Sequence, residues 1–234
     1  MASVEGCPSP DVDVDALTPW APPRKASKRL TDPNASSRPI PQRFHLHLQT
    51  SEGLIVVELD QAWGPKGVAR VHQLASSGYL DGTSFYRVIP GFVAQFGVSP
   101  YPQITEAWDE ATLDDEVEAL PMERGVLAMA RKPRPNSRST QLFFNLANAP
   151  FLVTQGYGGI GRVVQGLDVM DRLNGCYGEQ GPLGSGPSQR EALGYGNAYL
   201  RAGWPALDEI EKAWVVEVSR ESRLRPSNPR PRAP

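Results

Sequence analysis

The chain has 234 residues, 40% of them hydrophobic, and a formal net charge of -2. That is enough for one domain with a sizeable core plus extensions, and it gives no global pull towards nucleic acid or an anionic membrane. Two cysteines, Cys7 and Cys176, exclude a disulfide framework and a Cys-based zinc site. Two free thiols in a reducing compartment, with cytoplasm slightly favoured, is the simpler reading, and a single bridge between them is the alternative. No apolar run reaches the roughly 18–20 residues needed to span a bilayer, and Met1 to Asp15 lacks an apolar signal core.

Residues 1–42 are rich in Pro, Ser and Asp, with eight prolines between Pro8 and Pro41. Such a segment is expected to bury too little apolar surface to offset its ordering entropy, so it reads as an extended arm. Phe44, Leu46 and Leu48 then alternate with His45, His47 and Gln49, the period of a half-buried strand. Ser51-Glu52-Gly53 is a turn, and Leu54 to Leu59 completes a hairpin. His45 and His47 share a strand face, a spacing that suits a metal, but no third ligand joins them, and solvent-facing histidines are the plain alternative. Val68, Val71, His72 and Ala75 fall at helical spacing between an opening Pro65 and a closing Gly78. Further short strands are expected at Ser84 to Ile89, Phe92 to Phe96, Val126 to Ala130, Gln141 to Leu146 and Arg162 to Gln165. Leu167 to Leu173 reads as a short helix stopped by Gly175, and Trp214 to Val218 as a last strand. The domain is thus expected over residues 43–222, followed by a basic Pro-rich tail over 223–234 that either docks an acidic partner or is simply solvated. Many short strands with Gly/Pro turns and two helices suggest a closed antiparallel barrel.

The chemistry concentrates in three stretches. Ser84 to Gly97 (S-F-Y-R-V-I-P-G-F-V-A-Q-F-G) sets Phe85, Arg87 and Ile89 on one face if it is a single strand. An arginine there must reach water, a partner or a ligand. Gly125 to Arg131 (G-V-L-A-M-A-R) is followed by N-S-R-S-T-Q-L-F-F, in which Gln141 and Phe143 share a face. The third stretch is Phe151-Leu152, then Tyr157 and G-G-I-G-R-V-V. Each residue has a plainer reading: Arg87 as a structural ion-pair partner, Phe92 and Phe143 as core, Gln95 and Gln141 as amides satisfying the barrel.

These motifs, in order from about Phe44 to Val218, resemble the cyclophilins, whose F-H-R-V-I-P-G-F-M-x-Q, M-A-N/R and N-S-x-x-S-Q-F-F-I segments they follow. The resemblance implies a mainly β fold, a closed eight-stranded antiparallel barrel capped by two α-helices. It implies a peptidyl-prolyl cis/trans isomerase that needs no metal or cofactor and acts on proline-containing polypeptides. It places Arg87 on the family's catalytic arginine, and Phe92, Val93 and Phe143 on its proline pocket. Gln95 and Gln141 fall on the groove's polar positions, and Ala130 and Arg131 where backbone grips substrate. Phe151 and Leu152 match the family's W/F-L pair, and Tyr157 its His or Tyr. The chain departs from the pattern in four ways: Val93 replaces the usual Met, Phe96-Gly97-Val98 replaces Gly-Gly-Asp, one extra residue lies between Leu152 and Tyr157, and residues 178–205 are longer than a minimal member needs. The alternative function is a non-catalytic proline-binding module or structural subunit, with the arms attaching it to a partner.

Overall fold

The computed structural model describes residues 7, 10–35 and 39–218. The basic tail therefore lies outside the described residues. Strands β1 (Arg43–Thr50) and β2 (Gly53–Asp60) form the expected hairpin, in register from Arg43 opposite Asp60 to Thr50 opposite Gly53. Phe44, Leu46 and Leu48 are fully buried while the intervening residues are only partly so, as the period-two pattern requires. A short helix, α1 (Lys28–Thr31), precedes them. Helix α2 (Pro65–Ser77) follows; Pro65 opens it, and Gly78, at φ 80°, ends it in the left-handed conformation that glycine adopts without penalty. Its buried stripe is Val68, Val71, Leu74 and Ala75.

The single strand expected at Ser84 to Ile89 is instead two: β3 (Thr83–Ser84) and β4 (Arg87–Ile89), separated by Phe85 and Tyr86. Then come β5 (Val93–Phe96), α3 (Pro102–Asp109), β6 (Val126–Met129), β7 (Leu142–Asn145), α4 (Phe151–Thr154), β8 (Gly159–Gln165), α5 (Leu167–Arg172), α6 (Gln189–Tyr195), α7 (Asn197–Gly203) and β9 (Glu209–Glu217). All pairings are antiparallel, in the order β3-β9-β1-β2-β8-β6-β7-β5-β4. The outermost members, β3 and β4, are joined by two residues, a span of roughly 10 Å at most. The two edges therefore lie close together, and the sheet must curl round on itself. The mainly β, curled-sheet class holds. Its detail is corrected to nine strands and seven α-helices among the described residues, with the seam between β3 and β4 crossed by chain rather than by a hydrogen-bonded ladder. The core fills the inside of the curl, with Phe44, Leu59, Leu74, Phe85, Phe96, Trp108 and Phe144 all fully buried.

The reading of residues 1–42 as a free extended arm is also corrected, for its described part. Val12, Val14 and Leu17 pack on a second apolar cluster built by Tyr86, Tyr177, Tyr199, Leu200 and Trp204. Leu30 and Ile40 pack on the main core, and the Trp108 Nε1–H donates to the Leu30 carbonyl at 2.7 Å. Trp20 lies 5.0 Å beneath the Arg201 guanidinium. These apolar residues are isolated in sequence, so no periodicity announces them; their partners are the second cluster, to which α6 and α7 contribute, and for Leu30 and Ile40 the main core. Cys7 and Cys176 form a disulfide with Cα atoms 5.3 Å apart, which overturns the free-thiol reading and the ground for a reducing compartment. The His47 ring lies 5.1 Å from that of Trp214, tilted by 33°, and among the described residues no group of three or more His, Cys, Asp or Glu is placed to hold a metal.

The segment between α3 and β6 is held by a buried ion pair, Arg138 with Glu118, each side chain 4% exposed. Arg138 also donates to the Asp114 carbonyl at 3.0 Å, and Glu118 accepts from the Gly158 N–H at 2.9 Å. Burial pushes the Glu118 carboxyl above the usual carboxylate range, and the Arg138 charge opposes that shift. Two predictions follow from this packing. Glu118→Ala leaves the buried Arg138 guanidinium with only the Asp114 carbonyl and a longer contact to Asp115 at 3.7 Å, and should cost about 3–5 kcal/mol, read by chemical denaturation; a cost below about 1 kcal/mol would show that Asp115 or water compensates Arg138. Cys7→Ser, or reduction of the wild type, should cost about 2–4 kcal/mol and lower the Tm by several degrees in calorimetry. An unchanged Tm would mean that the arm contributes nothing to the folded domain.

Candidate active site

The site is a row of side chains across four adjacent strands. Arg87 on β4 is registered opposite Gln95 on β5, Gln95 opposite Phe143 on β7, and Phe143 opposite Ala128 on β6. Because side chains alternate along a strand, the residues between them point the other way. Val88, Ala94, Phe96, Leu142 and Phe144 are all buried in the barrel core. The break at Phe85–Tyr86 revises one expectation: Phe85 is fully buried, whereas Arg87 lies on the opposite, groove-facing side at 26% side-chain exposure. The arginine therefore does not share an apolar face with Phe85.

The row floors a groove of about 280 Å³. Of the sequence-predicted residues, Arg87, Phe92, Val93, Gln95, Ala130, Arg131, Gln141, Phe143, Leu152 and Tyr157 all line it. Phe151 does not; it is half exposed and stacks on the Phe92 ring at 5.8 Å. Helix α4 thus turns Leu152 inward and leaves Phe151 behind Phe92. The apolar end of the groove is a cluster of its own, in which Val93, Ala128, Phe143 and Leu152 pack with Met122 and Val126, and Phe92 and Tyr157 cover it. Phe143 meets the Tyr157 ring edge-on at 5.7 Å, and the Arg131 guanidinium lies 5.1 Å over the other ring's centroid. Arg131 also donates to the Gln155 carbonyl, and a Cβ on Gly156, at φ 81°, would run into that guanidinium at 2.8 Å. Phe92 and Phe143 line the groove, and Phe143, 6% exposed, is at the same time part of the buried apolar cluster.

The polar end is a hydrogen-bonded chain. Arg87 Nη1 donates to Gln95 Oε1 at 3.2 Å, and Gln95 Nε2 donates to Gln141 Oε1 at 2.9 Å. Gln141 Oε1 also accepts from Tyr86 Oη at 2.6 Å and from Gln189 Nε2 at 3.2 Å. Burial raises the Tyr86 phenol well above its ordinary range, so it stays a donor. Arg87 is paired as well, donating from Nη2 to Glu179 at 2.6 Å and from Nε at 3.0 Å. That pairing holds the Glu179 carboxyl below the usual carboxylate range. Both readings of Arg87, ion-pair partner and groove-lining donor, thus apply at once. Tyr86, Glu179 and Gln189 were not found by sequence reasoning. Tyr86 sits beside Arg87 and was hidden by the assumption of one continuous strand. Glu179 and Gln189 lie about a hundred residues away in a Gly/Pro-rich segment with no periodicity to place them.

This chain resembles known proteins in both sequence and fold. Residues 45–189 match the family described as Cyclophilin type peptidyl-prolyl cis-trans isomerase/CLD. A probable peptidyl-prolyl cis-trans isomerase of Brucella suis is 34% identical over 147 residues, covering 58% of this chain and 74% of the relative. Peptidyl-prolyl cis-trans isomerase A of Dickeya dadantii is 33% identical over 150 residues, covering 62% and 79%. A crystal structure of a Cryptosporidium parvum cyclophilin, solved with the dipeptide Ala-Pro, superposes with a TM-score of 0.55 at 21% identity, covering 74% of this chain and 99% of that one, a likeness of fold. With curled sheet, groove and motif order in agreement, the chain belongs to the cyclophilin-type peptidyl-prolyl cis-trans isomerase family.

Proposed function

We propose that this groove catalyses rotation about X–Pro peptide bonds in other polypeptides, with Arg87 as the catalytic residue. The observation that carries the reading is the meeting, in one groove, of a cationic hydrogen-bond donor with an apolar pocket closed by aromatic rings. The amide barrier, about 18–20 kcal/mol, arises because the nitrogen lone pair is delocalised into the carbonyl. X–Pro bonds differ little in energy between cis and trans, yet interchange over tens to hundreds of seconds. A catalyst needs neither nucleophile nor proton transfer; it needs to hold the ring and stabilise the twisted amide. In the twisted state the nitrogen is pyramidal and its lone pair accepts a hydrogen bond, which a fixed guanidinium donates. A gain of about 10⁵ corresponds to roughly 7 kcal/mol, within reach of a charged hydrogen bond plus binding geometry.

In this reading Phe92, Val93, Phe143 and Leu152 hold the proline ring, with Tyr157 over it and Phe151 bracing Phe92 from behind. Val93 in place of a longer side chain leaves the pocket more room. Gln95 and Gln141 order the donor side. Ala130 donates its N–H to the Gln141 carbonyl at 2.9 Å, so its grip on a substrate chain passes through its own carbonyl, next to Arg131. Any docking of a partner through the arms does not use Val12, Val14 or Leu17, which pack on the domain.

Two variants test the assignment. Arg87→Ala should lower kcat/KM on a proline tetrapeptide by roughly 10²–10³-fold while leaving the Tm within a few degrees. Near-normal turnover would remove Arg87 from the mechanism, and retained peptide binding by a wild type without turnover would make the protein a binding module. Phe143→Ala should weaken peptide binding by roughly ten- to a hundredfold, the worth of burying one ring. Unchanged binding with a large loss of stability would make Phe143 a core residue.

A further inference from the structure

Glu179 lies in the long 178–205 segment, outside every motif, yet its carboxylate meets the Arg87 guanidinium side-on. A guanidinium has five N–H donors. Glu179 takes the Nε–H and one Nη2–H, and Gln95 takes one Nη1–H. Two N–H bonds are left over, one on each of the two terminal nitrogens that form the outer fork. A side-on grip is the arrangement that leaves this fork available to an amide nitrogen.

The placement of Glu179 is built rather than incidental. Gly178, at φ 63°, turns the chain into it. A Cβ at Gly184 would lie 2.2 Å from the Glu179 carbonyl oxygen, so only glycine lets that strand of the loop close on Glu179. Gly186 N–H donates to the same carbonyl at 2.9 Å, and Gln180 N–H donates to the Glu179 carboxylate at 2.9 Å, which fixes its direction. Upstream, Cys176 is tied to Cys7 by the disulfide, and Ser185 Oγ donates to the Cys7 carbonyl at 3.2 Å.

We propose that Glu179 is a positioning residue for the isomerase reaction. It locks the flexible Arg87 side chain so that its outer fork faces the bound X–Pro amide. The inference rests on the assignment of Arg87 as the catalytic donor. Two effects of the carboxylate oppose each other. Its negative charge weakens the field of the guanidinium, while its two hydrogen bonds fix a side chain that otherwise samples many rotamers. Misplacement by about 1 Å can cost roughly a hundredfold in rate. The pair is about a quarter exposed (26% and 25%), so solvent screens the charge effect and the geometric one dominates.

The test uses the full chain with Glu179→Ala, Glu179→Asp, Glu179→Gln and Arg87→Ala. It measures kcat and KM on a proline tetrapeptide, the Tm, and the ¹⁵N–¹H correlation of the Arg87 Nε–H. Glu179→Ala and Glu179→Asp should lower kcat roughly 10–100-fold with KM altered less than about twofold. The Arg87 Nε–H signal should be lost to solvent exchange in both. Glu179→Gln keeps an acceptor without the charge and should restore most of kcat and the signal. If Glu179→Ala matches or exceeds wild type while Arg87→Ala is inactive, the positioning role is wrong and the carboxylate is a brake or a bystander. If Arg87→Ala is itself active, the Arg87 assignment fails first. Should Glu179→Ala not fold, Gln against Asp decides, and a Gln variant no faster than Asp overturns the proposal.

Discussion

Everything at this site depends on one constraint, the alternation of side chains along β4, β5 and β7. The same three short strands must fill a barrel on one face and furnish a groove on the other. Ala94, Phe96, Leu142 and Phe144 are at 0% exposure because a close-packed core demands it. Their neighbours Gln95 and Phe143 are thereby turned outward with no freedom to drift. A one-residue slip of β5 would drive Gln95 into the core and expose Phe96, an exchange that desolvates an amide and wets a ring. The precision of the row from Arg87 to Ala128 is therefore inherited from the core rather than made at the surface.

The second support comes from outside the barrel. The 178–205 segment and the N-terminal arm share an apolar cluster, and the arm is joined covalently, through Cys7, to Cys176 just before that segment. Tyr86 belongs to that cluster, while its hydroxyl reaches into the groove to Gln141. One residue thus couples the packing of the extensions to the polar end of the groove. The extensions pack against Tyr86, where β3 gives way to β4 and the sheet ladder is interrupted. A seam of this kind exposes unpaired backbone unless something packs over it.

What the sequence made legible follows the same physics. The hairpin of β1 and β2 and the helix from Pro65 to Gly78 were readable because their periods are long and their ends are marked by Gly or Pro. The groove residues were readable because period two groups Gln141 with Phe143, and because their motifs resemble a known family. Ser84 to Ile89 misled because a run with four β-prone residues, Phe85, Tyr86, Val88 and Ile89, looks like one strand; the bend at Phe85–Tyr86 is imposed by closure of the sheet, a non-local demand. Helix α3 was missed because it is only eight residues long, and its core side chains Ile104 and Trp108 supply a single helical repeat. Helices α6 and α7, seven residues each, are held by packing on the arm and on β3 rather than by propensity. Phe151 and Leu152 could not be separated by sequence, since which of two adjacent side chains turns inward depends on the pitch of a four-residue helix. The Cys7–Cys176 bridge was legible only as the alternative to two free thiols, and Glu179 not at all, because contacts that span 169 and 92 residues leave no local trace.

The polar end of the groove also explains why amides, and not acids, occupy positions 95 and 141. Gln141 Oε1 accepts from Tyr86, Gln95 and Gln189 together, a demand that a carbonyl with two lone pairs meets only in a crowded, fixed geometry. A carboxylate there would also accept all three, but it would place a second negative charge near Arg87, already matched by Glu179. The guanidinium would then have two acids competing for it, and its outer fork would turn towards the groove floor. A neutral amide at 95 accepts from Arg87 on one atom and donates onward from the other, so the chain Arg87–Gln95–Gln141 has a single direction. Along that chain charge sits at one end, at the Arg87–Glu179 pair, and Gln95 and Gln141 continue it as neutral amides. That division fits a reaction in which no proton moves and the only task of charge is to meet one lone pair at one angle.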